Sequence, residues 1–311
     1  MTNETGTNEA GTNETGTTRH ETNEAGTNGT RGGSGGSAAV GYGQIDRGYA
    51  MQLATSDDDG PIYMVNLLRY HEVAKYGDTD DTDDTVSGRE ADDRYAPLDV
   101  LQDIGAEVVL WGDVEAQLLG GAPVWERVGV VRYPTRRSFI EMQARRDFQE
   151  RHVHKEAGVE RTIVMGCVPV ELPERLGRHQ VVPWADVAHP PTEDDGPIAV
   201  IHVIKYAEGE LRDEMLEYQA AAAEVAVPHG VRIGGWFDVE GTIVGDGRAW
   251  DQVRFNLFPS KAAFMAVVFD PARMEAHHAH REPAMADTYT LIVRPTINRL
   301  DGATEDAGRV G

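Results

Sequence analysis

The sequence predicts an α+β protein made of two copies of a β-α-β-β-α-β unit, and three observations predict it. The first is an internal duplication. "DDGPIYMVNLLRY" (58–70) returns as "DDGPIAVIHVIKY" (194–206), "WGDVEAQLLGG" (111–121) as "WFDVEGTIVGD" (236–246), and "VWERVGVVRYPTRRSFIEM" (124–142) as "AWDQVRFNLFPSKAAFMAV" (249–267). Trp111 matches Trp236 and Trp125 matches Trp250, a constant offset of 125 residues. Each copy is far longer than the roughly 20–50 residues of a solenoid repeat and suits two homologous domains. The second observation is the strand-like apolar run that begins each copy. The third is a Pro-Thr or Pro-Ser pair, "PTRRSF" and "PSKAAF", that marks a helix start in the same place both times.

The elements follow in order. "IYMVNLLRY" is β-rich and of strand length. A helical stretch comes next, "DRYAPLDVLQDIG" in one copy and "ELRDEMLEYQAAAAEVAVPHG" in the other, each ending at a Gly suited to a helix C-terminus. Two strands, "AEVVLWGDVEAQLLG" and "WERVGVVRY", are divided by a Gly-rich turn. The second helix starts at the Pro-Thr or Pro-Ser cap, and "RTIVMGCVPV" or "TYTLIVRPTI" closes the unit. This order is the ferredoxin-like split βαβ. Expected boundaries are a disordered low-complexity tail over 1–45, a first repeat over 58–170, a Pro- and His-rich linker over 171–193, a second repeat over 194–297 and a flexible tail over 298–311. The tail steps through "TNETG" and "TNEAG" with no recurring apolar residue, so it cannot offset its ordering entropy. "GDTDDTDDTVSGREADD" (77–93) reads as a solvated acidic loop.

Composition bounds the partners. Over 311 residues, 29 Lys and Arg stand against 52 Asp and Glu, a formal charge of −23. Such a polyanion repels nucleic-acid phosphates and acidic lipid, so neither is expected as a partner. Lysine is confined to Lys75, Lys155, Lys205 and Lys261. An acid-rich, lysine-poor surface suits a high-salt, halophilic cytoplasm. A GC-rich genome would give the same Arg-for-Lys bias. The single cysteine, Cys167, cannot form an internal disulfide and reads as a buried small hydrophobe. No apolar run reaches the ~18–20 residues of a membrane span, and the N-terminus is neither basic nor apolar. The expectation is a cytoplasmic protein.

"YMVNLLRY", the "WERV…VRYPTRRSF" block and the "HKE" or "HRE" after the second helix resemble the DUF1330 family of the dimeric α/β-barrel superfamily, here as a tandem duplication. The resemblance covers roughly two-thirds of the chain. It implies that two ferredoxin-like units pair their sheets into a barrel, either within one chain as a monomeric pseudo-dimer or between chains as a homodimer. The superfamily includes cofactor-independent monooxygenases, lactone isomerases, haem-degrading oxygenases and chlorite dismutases. Haem-degrading members carry an Asn on the first strand, which Asn66 matches, and a His about ten residues after a Trp, which His152 and His278 match in place. Met142 and Val267 stand where that Trp belongs, so no cofactor is expected.

Candidate chemistry centres on the first strand of each copy and on the histidines. Asn66 and His202 sit on the alternating faces Ile62-Met64-Asn66-Leu68 and Ile198-Val200-His202-Ile204, where a lone polar group lines a pocket or finds a core partner. Arg69 and Lys205 close those strands on the opposite face. Trp111 and Trp236 complete the candidate binding residues. In a helix, His152 and His154 diverge by ~200° and cannot chelate one ion, so no metal is expected. His154 and His280, each followed by a base and then Glu156 or Glu282, are the candidate proton carriers, because imidazole titrates near working pH. Two readings follow. One is a barrel that binds or converts a small organic molecule, as a cofactor-independent oxygenase or isomerase type. The other is a non-catalytic ligand-binding or stress-related barrel. The sequence does not decide whether the protein is an enzyme.

Overall fold

The computed structural model describes residues 38–58, 60–77, 86–172, 181–209 and 212–300. The first half comprises the hairpin β1 (Ala38–Val40) and β2 (Gly43–Ile45), then α1 (Arg47–Thr55), β3 (Ile62–Tyr70), α2 (Gly88–Tyr95), α3 (Leu98–Asp103), β4 (Glu107–Leu119), β5 (Arg127–Tyr133), α4 (Arg136–Ala144), α5 (Arg146–Gly158) and β6 (Val159–Pro169). The second half runs β7 (Ile198–Tyr206), α6 (Arg212–Ala226), β8 (Arg232–Gly245), β9 (Gln252–Phe258), α7 (Lys261–Val268), α8 (Pro271–Ala276), a π-helical turn (His277–Arg281), α9 (Glu282–Ala284) and β10 (Met285–Asn298).

Eight of these strands form a closed antiparallel barrel in the order β8-β6-β3-β5-β4-β10-β7-β9, closed by the β8–β9 pair. Each half supplies four neighbouring strands, β6-β3-β5-β4 and β10-β7-β9-β8. Two seams join them: β4 pairs with β10 (Val114 opposite Val293) and β6 with β8 (Gly166 opposite Gly241). The halves therefore pair within one chain. Ion pairs repeat across the seams with the same approximate two-fold: Arg136 meets Glu240 at 2.5 Å, and the corresponding Lys261 meets Glu115 at 3.9 Å.

Strand alternation divides the side chains between two layers. Tyr63, Val65 and Leu67 of β3 and Ala199, Ile201 and Val203 of β7 point into the barrel, where they pack with Trp125, Trp250 and Tyr289. Tyr289 lies between the two tryptophans, its ring centre 5.8 Å from that of Trp125 and 5.4 Å from that of Trp250. The lumen is filled by side chains. Ile62 and Met64 point outward against Leu101, Phe139, Met142 and Phe148 of the helices.

Local signals set the helix ends. The Thr135 and Ser260 side chains accept from the backbone N–H of Ser138 and Ala263, capping α4 and α7. Four segments depart from the sequence reading. Residues 38–45, assigned to the tail, form the β1–β2 hairpin; 1–37 lie outside the described residues. The acidic stretch 77–93 holds the start of α2, because Ser87 and Glu90 build a reciprocal capping box; 78–85 lie outside the described residues. In the expected linker, 173–180 lie outside them too, and Trp184–Asp186 form one 3-10 turn. The last expected tail begins with Leu300 fully buried; 301–311 lie outside the described residues. No helix among the described residues is long and apolar enough to cross a membrane.

Helices α2 and α5 touch at Gly88 and Gly158. A methyl group at Gly158 would run into the carbonyl oxygen of Gly88, and one at Gly88 into the carbonyls of Gly158 and His71. Backbone atoms cannot yield as a flexible side chain would. Gly158→Ala is expected to destabilise the fold by about 1–3 kcal/mol, read as a lower urea midpoint; an unchanged midpoint would show that the contact is not tight.

Candidate functional site

A cavity of about 620 Å³ lies between the outward face of the first-half strands and the layer over them. Met64, Leu68 and Val131 form its floor, Phe139, Met142 and Phe148 its helical wall, and Tyr42 of the β1–β2 turn and Tyr95 of α2 reach its rim. The lining is mostly apolar, with a small set of polar groups set into it. That is the usual make-up of a small-molecule site.

Asn66 stands at the middle of the floor. Its amide nitrogen donates to the carbonyls of Met64 at 3.0 Å and Gly129 at 3.4 Å, and its side-chain oxygen has no hydrogen-bond partner among the described residues. Gly129, opposite Asn66 on β5, makes room for the indole of Trp111, which lies against it. Trp111 lines the cavity as well. Behind it, Arg127 is 5.0 Å from the Trp111 ring centre and meets three carboxylates, Asp93 at 2.6 Å, Asp113 at 3.2 Å and Asp92 at 3.5 Å. Asp92 also accepts the Tyr70 hydroxyl at 2.6 Å. Arg127 is thus fully answered by carboxylates on this side of the cavity.

His152 lies on the α5 wall inside an aromatic box. Phe148 stacks on it at 5.5 Å, Tyr95 meets it edge-on at 5.8 Å, and Nε2 is 3.1 Å from the Tyr42 hydroxyl. Nδ1 is buried with no hydrogen-bond partner among the described residues. Burial, aided by the nearby Lys155 charge, pushes the imidazole down to about 4, so it is neutral at pH 7. Lys155, one helical turn on, also lines the cavity and stands 5.4 Å from the Tyr95 ring centre. It has neither a hydrogen-bond nor an ion-pair partner among the described residues, and burial pulls its ammonium below the usual lysine range. A neutral base, a loosely held cation and a free amide oxygen therefore face one apolar space.

Of the residues singled out from sequence, the cavity brings together Asn66 and Trp111, with His152 and Met142 that the family resemblance had marked. His154 points the other way on α5, as the helix requires, with Nδ1 2.8 Å from the Tyr76 hydroxyl. His280 pairs with Glu214 at 2.7 Å on the surface of the second half. Arg69 pairs with Glu160 at 3.0 Å and Lys205 with Asp251 at 2.9 Å. His202 is 3.2 Å from Thr290, and Trp236 lies beneath Arg254. None of these six lines this cavity. Tyr42 and Tyr95 had no mark in the sequence pattern. The signal for Lys155 was its spacing: His152 and Lys155, three apart, share a helical face. Among the described residues no three His, Cys, Asp or Glu side chains are grouped to hold a metal ion.

No family model matches the chain, and no curated protein matches it. Among solved structures it is similar to a protein of unknown function from Rhodopseudomonas palustris, 28% identical over 43% of this chain and 100% of that one, with a TM-score of 0.38. It is also similar to an anthrone oxidase-like protein, at 13% identity, 77% and 92% coverage and a TM-score of 0.42. A third is a chlorite dismutase mutant from Candidatus Nitrospira defluvii in complex with cyanide, at 11% identity, 83% and 98% coverage and a TM-score of 0.46. The functional reading rests on the cavity's own residues.

The His152 environment fixes a pH dependence. Its folded-state value lies near 4 and the unfolded value near 6.5, so between those limits the unfolded chain takes up the proton and the fold does not. Stability then falls as pH falls through this window. His152→Phe is expected to remove part of that acid sensitivity, up to about 3 kcal/mol between pH 6.5 and 4, in urea titrations at both pH values. A variant with the wild-type slope would show that the buried imidazole is not the cause.

Proposed function

We propose that the first-half cavity binds a small, largely apolar organic molecule with one polar, acidic end, and moves a proton on it. One observation carries the reading: His152, Lys155 and Asn66 share an apolar cavity of a size that suits a bicyclic or tricyclic ring system. The layout supports a division of labour. The rings of Tyr95, Phe148 and Trp111 hold the apolar body. Neutral His152 accepts a proton from an acidic C–H or O–H, and the Lys155 ammonium stabilises the oxyanion that remains. Return of the proton to another carbon is isomerisation. Capture of the carbanion by dioxygen, taken up as a co-substrate, is the oxygenase type of outcome. The finer placement as a tandem ferredoxin-like, DUF1330-type barrel belongs to the same proposal, supported by the strand order of each half.

The test uses 2-tetralone, an apolar bicyclic ketone with acidic C–H bonds, in deuterated buffer. Quenching of tryptophan fluorescence reads binding, and proton NMR reads exchange at the carbon beside the carbonyl. Met64→Trp is expected to fill the cavity and abolish binding. His152→Ala is expected to lower exchange by about 10²–10⁴-fold with binding weakened far less, and Lys155→Met to lower it as well. Binding without exchange would leave the non-catalytic ligand-binding barrel. Absence of binding, with native mass spectrometry of the purified protein showing no retained ligand, would overturn both readings.

A further inference from the structure

The second half has the same outward face with opposite electrostatics. His202 takes the place of Asn66, Arg254 that of Gly129, and Arg281 that of Lys155. Arg254 and Arg281 are each only 2% exposed. The Arg254 guanidinium lies 3.9 Å from the Trp236 ring centre, and it donates to Gln252 through Nε and to the Tyr206 hydroxyl at 3.0 Å through Nη2. Its Nη1 is buried with no hydrogen-bond partner among the described residues. Arg281 reaches Thr290 at 3.3 Å and His202 Nδ1 at 3.4 Å. Arg273 and Arg281 both stand over the Tyr218 ring, at 5.8 and 5.7 Å.

Among the described residues neither buried guanidinium has an ion pair. The contrast with the first half is direct, since Arg127 there meets three carboxylates. Asp238 is the carboxylate whose charge acts on Arg254, and it is engaged by Gln252, whose amide donates to it at 2.8 Å. A buried, unpaired charge costs several kcal/mol, and two beside each other cost more through repulsion. Burial and that repulsion pull Arg281 below the usual arginine range, and burial, helped by the three arginines, holds His202 far below the imidazole range, so it adds no charge. The guanidinium fork is the side chain best suited to take an oxyanion through paired hydrogen bonds.

We infer that Arg254 and Arg281, with Thr290, form a binding site for an oxyanion, the carboxylate of a small organic acid or a phosphate group, on the outward face of the second half. The anion supplies the missing countercharge and accepts from the orphaned Nη1 of Arg254. Tyr218 and Trp236 already stack against the guanidiniums, so a flat organic acid meets aromatic surface beside its charge. This site is separate from the first-half cavity and does not rest on the function proposed for it.

Thermal midpoints and calorimetric titrations of the full-length protein, with inorganic phosphate and with benzoate, test it. Sodium chloride holds ionic strength constant, because general screening also stabilises so acidic a chain. The expected result is a saturable rise in midpoint with at least one of the two anions. Benzoate alone points to an organic acid, and phosphate alone to a phosphorylated ligand. Arg254→Met and Arg281→Met are expected to weaken binding roughly tenfold or more while keeping or raising the anion-free midpoint. Arg146→Met, at a side chain 91% exposed, is expected to keep the full response. No saturable response in the wild type, or a response that survives both arginine substitutions, would overturn the inference; the wild-type titration decides even where a variant fails to fold.

Discussion

A closed barrel with a filled lumen is the constraint on which the rest of the structure depends. Closure commits one face of each strand to the interior, where the aromatic pack around Tyr289 sits. The candidate site lies on the outer face, where Met64, Asn66 and Leu68 meet the helices. Because β3 pairs with both β5 and β6, its register decides which residue sits in the middle of that outer floor. A slip of one residue would put Val65 or Leu67 there and bury Asn66 inside the barrel. The position of the site follows from this register before any helix is considered.

Duplication gives the protein this face twice, and single positions have driven the two copies apart. Gly129 has no side chain, so the Trp111 indole lies flat against β5 and the space above Asn66 stays open. The matched Arg254 fills that space with a guanidinium stacked on Trp236. Around the first cavity Arg127 is answered by Asp92, Asp93 and Asp113, and Lys155 is left as a single usable cation. In the second half arginine replaces lysine one helical turn beyond His278, and Tyr218 occupies the helix that faces it. Two related scaffolds thus present a neutral base in one case and uncompensated positive charge in the other. Symmetry survives where it serves the barrel, in the Arg136–Glu240 and Lys261–Glu115 pairs at the seams.

How much of this is legible in sequence depends on the range of the interaction. The element order, the helix starts at Thr135 and Ser260 and the outward face of β3 depend on neighbours a few residues apart, and periodicity and caps expose them. The α2 start at Ser87 carried a readable capping signal, hidden beneath an acidic run that reads as loop. Tyr42 could not be read at all, because its place at the rim depends on a hairpin docking at β8, some 200 residues along the chain. Which of His154 and His152 faces the cavity could not be read for a similar reason. Both recur in the second copy, and only the azimuth of α5 around its axis decides which one faces the sheet. That angle depends on tertiary packing, the burial of Phe148 and Ala157 and the close contact of Gly158 with Gly88 among it.

The charge balance of the whole chain gives the second-half arginines their significance. With a formal charge of −23, carboxylates are abundant, and exposed arginines find them readily: Arg145 meets Asp103 and Asp147, and Arg248 meets Asp246 and Asp287. Among the described residues neither Arg254 nor Arg281 has such an ion pair, so the shortage of countercharge is local to the site and not a feature of a cation-rich protein. In a fold whose stability is a small difference between large terms, such a cost persists only where something offsets it. The first half shows the alternative, because there the same sheet face met its arginine with three aspartates and kept its cavity apolar. An acidic exterior also repels anions at long range, so an oxyanion gains its affinity inside, from short-range contacts with the two guanidiniums. Selectivity for a particular acid is then decided by shape and stacking against Tyr218 and Trp236, and less by charge.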